Sequence, residues 1–444
     1  MLAVNRKGYI AFPLTLDEYA SVCARSERIE NMIIEQGAEL FLFSAQNRAT
    51  LCQQVESLLS SAPSLSPDEL TAIALHLAHQ DRRGTVRAAF VASDTAELTW
   101  HLEKLKGYLD SGVSLRLDVE NGIFLGESDQ SARIGFLFPG QGSPPYLDGG
   151  IARRRFAFVD ALYTRANLAT ADKEGETQVD QPAIITSSLA ALHLLQEIGI
   201  TAQVGIGHSL GELTALYWAG AMDEETLFRI TRARAGAMSA GKPIGAMANL
   251  RVSDEEAKAL FFGEEGVFVA GIIAPSLTVI SGTEQAVARV VARAQARNIP
   301  AFYLGVPHAF HSPLIEEEIR PFAAKLAQNH FQPLCHTVIS TVTGKSLAED
   351  TNVAELLYQQ VISPVQLRTA IEVAAPDLDL FIEVGAGKLI SALASQCVPV
   401  LALTVDVGGP SMKSLLLVVG AVFALGVPLR TDLLFNHLVS SLVY

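Results

Sequence analysis

Cysteine is scarce: the 444 residues hold four, Cys23, Cys52, Cys335 and Cys397, widely scattered and without a CxxC pair. That spacing gives no support to a disulfide framework or a cysteine-based zinc site, and it fits a reducing compartment. Positive charge is also in deficit, with 33 Lys and Arg against 47 Asp and Glu and a net charge of −14. The balance argues against nucleic acid or an anionic membrane as the main partner. Long apolar runs are missing too. The most apolar one, Leu415 to Val427, has thirteen residues and is closed by Pro428. It falls short of the roughly 20 that span a bilayer and reads as a buried helix. The start, "MLAVNRKGYIAFPLTLDEYA", has no basic region followed by an apolar core and a small-residue cleavage site. No secretory signal is read, and the cytoplasm is the expected location. Repeats and low-complexity tracts are absent as well.

What the chain has in quantity is aliphatic residues, and a hydrophobic content of 49% over this length supports two or three domains with large cores. Residues 1–38 read as a leader or remnant. Residues 39–130 read as a small α/β domain: "ELFLFSA" and "VRAAFVAS" are strands, and "NRATLCQQVESLLSSA" and "DTAELTWHLEKLKGYLDSG" are helices. "SPDELTAIALHLAHQ" is a third helix, capped by Ser66 with Pro67 at its first position. Residues 131–243 and 307–403 alternate strand and helix, as in a parallel α/β sheet. Between them, residues 244–306 change to the order β-α-β-β-α-β, a ferredoxin-like unit inserted into the larger α/β-hydrolase-like subdomain. Residues 404–444 form a following segment. The leader and the tail "FNHLVSSLVY" fit no complete domain, which points to an excised piece.

The turn Gly207-His208-Ser209-Leu210-Gly211 fits G-x-S-x-G, between the apolar "AQVGI" and the helix-forming "ELTALYWA". That context suits a nucleophile elbow, in which a serine is exposed on a sharp strand-to-helix turn. A serine that merely caps a helix is the plain alternative. The nucleophile reading needs a base, and "VPHAFHSPL" offers His308 and His311 at the exit of the insertion. The remaining histidines, His76, His79, His101, His193, His330, His336 and His437, read as surface or satisfied core residues. The His308/His311 spacing has no acidic or cysteine partner nearby in sequence, so no metal is expected.

Taken together and in order, "FPGQG", "GHSLGE", "HAFHSPL" and "EVGAGKL" resemble the malonyl-type acyltransferases of fatty acid and polyketide synthases. The resemblance runs from about Ile134 to Val400. The preceding α/β unit is similar to a ketosynthase–acyltransferase linker, and "GELTALYWAGAMD" looks like the version in iterative enediyne-type synthases.

The family pattern implies a Ser209–His311 dyad, with the imidazole oriented by a backbone carbonyl near Gln366 of "SPVQLR". It implies an oxyanion hole from the amides of Leu210 and Gln141, although Ser143-Pro144 departs from the usual Ser-Gln at the mouth. Arg234 matches the arginine that grips malonate's free carboxylate, and His208 and His308 line the same substrate site. Phe310, in "HAFH", implies malonyl rather than methylmalonyl, because its ring leaves little room for a methyl branch. The expected donor is malonyl-CoA, the acceptor is the phosphopantetheine thiol of an acyl carrier protein, and the neighbours are synthase domains such as a ketosynthase. No cofactor is expected on this chain.

Two rivals remain at this point. A serine esterase or thioesterase would place an acid between serine and histidine in the sequence and would lack the arginine. A scaffold that lost its activity would be expected to lose some of Ser209, His311, Gln366 and Arg234 as well.

Overall fold

The structure, a computed structural model, describes residues 37–80, 84–168, 175–240, 244–306 and 308–435. Nearly all of the expected leader, the tail beyond Phe435, and with them Cys23 and His437, lie outside the described residues. The described chain forms two compact units, one of residues 37–132, 194–200 and 410–435, the other of 133–193 and 201–409.

The first unit is built on an antiparallel sheet of β1 (Glu39–Ala45), β2 (Val86–Ala92), β3 (Leu115–Asp118) and β4 (Ile123–Glu127), ordered β1-β2-β4-β3. Phe41, Phe43, Phe90 and Phe124 fill its core. The helix Pro67–His79 starts as expected at Ser66, whose hydroxyl and the Glu69 carboxylate close a capping box. The β3–β4 hairpin was not read from the sequence. Its four-residue connection ends in Asn121-Gly122, with Gly122 at φ 66°, and Asp118 holds the Asn121 side chain at 2.9 Å. The apolar run near the C-terminus is the helix Lys413–Ala424, which packs on β1, β2 and β4. Gly420 allows this close approach, since a Cβ there would stand 3.2 Å from that of Ala89.

The second unit begins a sheet with β5 (Ile134–Phe138) and β6 (Val204–Gly207). The chain then leaves to make β7 (Ala246–Leu250), β8 (Val267–Ala274), β9 (Leu277–Gly282) and β10 (Ala301–Tyr303), and returns with β11 (Thr337–Ser340), β12 (Lys345–Ser346), β13 (Leu380–Glu383) and β14 (Leu401–Thr404). The main sheet has the order β12-β11-β6-β5-β13-β14 and is parallel except for β12, which turns back on β11. Strands β5, β6 and β13 are buried along their whole length, as expected for a sheet covered on both faces.

The four inserted strands pair in the order β10-β7-β9-β8, all antiparallel, with the helices Asp254–Leu260 and Glu284–Ala296. This is the ferredoxin-like arrangement read from the sequence. Its ends meet: the Ile244 amide donates to His308 Nδ1 at 3.3 Å, and the Ala309 amide donates to the Ile244 carbonyl at 2.6 Å.

Two stretches of this unit each hold two helices separated by a short break. "RRRFAFVDALYTRAN" splits at Phe156 between the helices Gly150–Arg155 and Ala157–Ala166. "VAELLYQQVISPVQLRTAIEVAA" splits between Val353–Ile362 and Leu367–Ala374. Ser363 there is extended, at φ −100° and ψ 152°, as a residue preceding proline prefers.

Candidate active site

The paired strands β5 and β6 end together, Phe138 opposite Gly207, at the carboxyl edge of the parallel sheet where α/β folds place their sites. From β6 the chain turns sharply into the helix Gly211–Trp218. Ser209, on the turn, has φ 49°, a left-handed conformation that costs a serine on the order of 1–3 kcal/mol. Crowding explains the glycines on either side. A Cβ on Gly207 would meet the Glu212 nitrogen at 2.2 Å, and one on Gly211 would meet the Phe138 carbonyl oxygen at 2.1 Å. Gly140 is equally tight against the His208 carbonyl, at 2.2 Å, so the "FPGQG" turn lies directly on the elbow.

Ser209 Oγ lies 3.0 Å from His311 Nε2, although 102 residues separate them. On the far side of the ring, Nδ1 faces the carbonyls of Gln360 at 3.0 Å and Ser363 at 3.2 Å. Two acceptors there fix the proton on Nδ1, so Nε2 presents its lone pair to the serine hydroxyl. Burial, then the charge of Arg234, then His208 hold the imidazole down to about 3, so it is neutral and able to accept a proton at ordinary pH.

One of these carbonyls, that of Ser363, lies in "SPVQLR" three residues before Gln366, and Gln366 itself does not face the ring. Gln366 donates its amide to the Thr341 carbonyl and its own carbonyl accepts the Ala370 amide, as the N-cap of the helix Leu367–Ala374. The Gln360 carbonyl comes from the last turn of the preceding helix, Val353–Ile362, where carbonyls have no partner within the helix, and the Ser363 carbonyl from the extended residue that caps it.

Arg234, on the helix Glu224–Met238, is 1% exposed. Its Nη2 donates to Ser209 Oγ at 3.2 Å and to Gln360 Oε1 at 3.1 Å. Its Nε and Nη1 have no partner among the described residues, which leaves a guanidinium with donors free in a buried site. Burial pulls it down to about 9, while Glu212 opposes that shift. Arg232 points elsewhere, to the Ala166 carbonyl at 2.7 Å.

The other expected residues have the following settings. His208 has a buried Nδ1 with no partner among the described residues, and burial lowers it to about 4. His308 commits its Nδ1 to the Ile244 amide and sets its ring 5.5 Å from that of Phe310, so of the two candidate bases only His311 reaches the serine. Phe310 is 5% exposed. The Gln141 side chain is tied to Thr177 and Gln181, at 3.0 and 3.1 Å. The amides of His208, Gly211 and Glu212 are engaged by backbone carbonyls, and that of Leu210 is not among those so engaged.

Sequence reasoning missed two residues. Gln360 contributes both a side chain to Arg234 and a carbonyl to His311, and nothing in "YQQV" signals either contact. Glu212 was visible in "GHSLGE" but had no role assigned. A cavity of about 600 Å³, lined by Lys258, Phe261 and Phe268 from the insertion and by Gln359 and Pro364 from the larger subdomain, opens onto His311. Among the described residues no three His, Cys, Asp or Glu come together to hold a metal, and no helix is long and apolar enough to cross a membrane.

Known proteins resemble this chain in sequence and in fold. The family profile described as the acyl transferase domain matches residues 161–400. The malonyl CoA-acyl carrier protein transacylase of Bacillus subtilis is 32% identical over 286 residues, 60% of this chain and 90% of that protein. Polyketide synthase GfsA of Streptomyces halstedii is 28% identical over 373 residues, 77% of this chain but 5% of the synthase, so the chain spans a small fraction of such relatives. Among solved structures, the acyltransferase domain of the iterative polyketide synthase in enediyne biosynthesis superposes with a TM-score of 0.77 at 32% identity, covering 88% of this chain and 97% of that one. By its profile, its relatives and its fold, this chain belongs to the acyl transferase domain family.

Proposed function

We propose that this chain is the acyltransferase portion of a polyketide synthase and moves malonyl from malonyl-CoA, through an ester on Ser209, to the phosphopantetheine thiol of an acyl carrier protein. The observation that carries the proposal is the convergence on one serine of a neutral imidazole at 3.0 Å and a buried guanidinium at 3.2 Å with two nitrogens unpartnered among the described residues.

The steps follow from that geometry. Ser209 passes its proton to His311 Nε2 as Oγ bonds to the thioester carbonyl carbon. Negative charge builds on the carbonyl oxygen, where the amides of Leu210 and Gln141 would donate. The tetrahedral adduct collapses, the carbon–sulfur bond breaks, and His311 returns the proton to the leaving thiolate. A carrier thiol then repeats the sequence in reverse, giving its proton to His311, attacking the ester carbon and releasing Ser209. Arg234 would hold the malonyl carboxylate through both halves, and an acetyl group would leave its charge without a partner. Phe310 would crowd a branched α-carbon and so favour malonyl over methylmalonyl. The role of residues 39–130 as a ketosynthase linker and a cytoplasmic setting belong to the same proposal.

The hydrolase reading is disfavoured because carbonyls, not a carboxylate, meet His311 Nδ1. The test is to weigh the intact protein after incubation with malonyl-, methylmalonyl- and acetyl-CoA. Malonyl alone should add mass, and the addition should vanish in Ser209→Ala. Comparable loading of methylmalonyl would overturn the extender assignment, and malonyl mass persisting in Ser209→Ala would overturn the nucleophile.

A further inference from the structure

Glu212 is a fully buried carboxyl that takes no part in the transfer steps. It stands in the first turn of the elbow helix and reaches the end of β11, where the Ser340 hydroxyl donates to Oε1 and the Thr341 hydroxyl lies 3.1 Å from Oε2. The same Thr341 hydroxyl lies 2.8 Å from the Gly207 carbonyl, the last one before the elbow. A hydroxyl has one proton to give, so Thr341 serves either Gly207 or Glu212. When it serves Gly207, the nearer acceptor, the contact with Oε2 needs a hydrogen from the carboxyl itself. The Ser340 hydroxyl cannot supply it, since it is spent on Oε1 while its oxygen accepts the Val342 amide at 3.0 Å. The Thr341 amide also faces the carboxyl, but it leaves the hydroxyl–carboxyl contact unchanged. The cluster is therefore fully paired when Glu212 is protonated and lacks one donor when it is ionised.

The charged group facing this cluster is Arg234, on the neighbouring helix. The titratable neighbours on Arg234's other side, His208 and His311, are both held far below the usual imidazole range and stay neutral. With the site empty, Arg234 favours an ionised Glu212, against burial, which pushes the carboxyl up to about 7. A substrate carboxylate on the guanidinium takes over that positive charge and adds a negative one nearby, and both changes favour the neutral carboxyl.

We propose that Glu212 takes up a proton when a carboxylate-bearing acyl group enters the Arg234 site, and that the protonated carboxyl leaves Thr341 free to hold the Gly207 carbonyl at the base of the elbow. Glu212 is then a positioning residue that makes substrate binding proton-linked. The proposal rests on the reading of Arg234 as the carboxylate site.

Calorimetric titration of the wild-type protein with malonate, in buffers of different ionisation enthalpy between pH 7 and 8, counts the protons taken up. Uptake approaching one per malonate is expected, falling to none in Glu212→Gln, which retains malonyl loading within about tenfold. Malonate binding without proton uptake, or uptake that persists in Glu212→Gln, would overturn the proposal. If Glu212→Gln does not fold, the wild-type count alone decides. Should malonate not bind at all while Arg234→Ala loads malonyl at the wild-type rate, the carboxylate site itself is wrong and the inference goes with it.

Discussion

The inserted four-stranded subdomain and the elbow region are parts of one unit built on opposite terms. In the insertion, Leu250, Ile280, Val287, Val290 and their neighbours form an apolar core, and Ser253 with Glu256 closes a full capping box. Among its described residues Ser281 Oγ is the one buried side-chain polar atom without a partner. Around the elbow, His208, Arg234 and Gln360 all carry buried polar atoms without a partner among the described residues, and both Ser209 and His311 sit at positive φ. The first region follows the rules that make a sequence fold. The second departs from them where chemistry is expected, and the fully buried strands β5 and β6 hold the departures in place.

Substitutions at the elbow should therefore remove activity and spare stability, and those in the insertion should do the reverse. The largest effect is expected for Ser209→Ala, which should take no acyl group at all, followed by His311→Ala, with transfer slowed on the order of 10²–10⁴-fold. Intact-mass time courses with malonyl-CoA measure both, and ordinary loading by His311→Ala would break the contrast. Arg234→Ala should cost about 2–5 kcal/mol in kcat/KM for malonyl-CoA, raise that for acetyl-CoA and unfold at no lower temperature, because it removes a buried charge that lacks full pairing. Leu250→Ala should lower the unfolding free energy by about 2–5 kcal/mol in denaturant while kcat/KM stays within a few-fold. Gly236→Ala, on the helix that carries Arg234 and with open space around the new Cβ, should add about 0.5–1 kcal/mol. A loss there would show that this helix is less regular than it looks.

The pH dependence sharpens the same contrast. His311 has its imidazole lowered to about 3, so the unfolded chain binds the extra proton first. Its contribution to stability is complete above about pH 6.5 and is lost as the pH falls through the window down to about 3. Glu212, raised to about 7, acts in the opposite sense, and its contribution fades as the pH rises from about 4.5 to 7. Comparing wild type with His311→Gln isolates the first effect. Denaturation midpoints at pH 7 and pH 5 should fall further in the wild type, and equal falls would refute a buried neutral base.

What the sequence disclosed follows from how locally each feature is encoded. The β-α-β-β-α-β order of the insertion was legible because strand and helix periodicity and the caps lie within a few residues of each other. The elbow was legible because its G-x-S-x-G pattern fits within five residues, although only Gly207 answers to crowding that near, from Glu212, and Gly211 answers to Phe138. The β3–β4 hairpin carried its own signal in Asn121-Gly122 and was passed over because four residues of connection blur the two-residue pattern. The break at Ser363 needed only Pro364 to be weighed against the helical run. The carbonyls on His311 were different in kind. A backbone atom has no letter of its own, so a resemblance that points near Gln366 cannot separate it from Gln360, six residues earlier. The partnership of Glu212 with Ser340 and Thr341 spans 128 and 129 residues and is set by sheet order rather than by spacing.

The meeting of Ile244 with His308 and Ala309 has an engineering consequence. Residues 244–306 leave and rejoin the larger subdomain through a single doorway, whose two jambs are already joined by hydrogen bonds. Exchange of the insertion between related enzymes would need two adjacent cuts there and a host residue that keeps the backbone bonds of Val365 to Ala270 and Ile272, and it would carry Lys258, Phe261 and Phe268 of the cleft wall while the serine, histidine and arginine stay with the host.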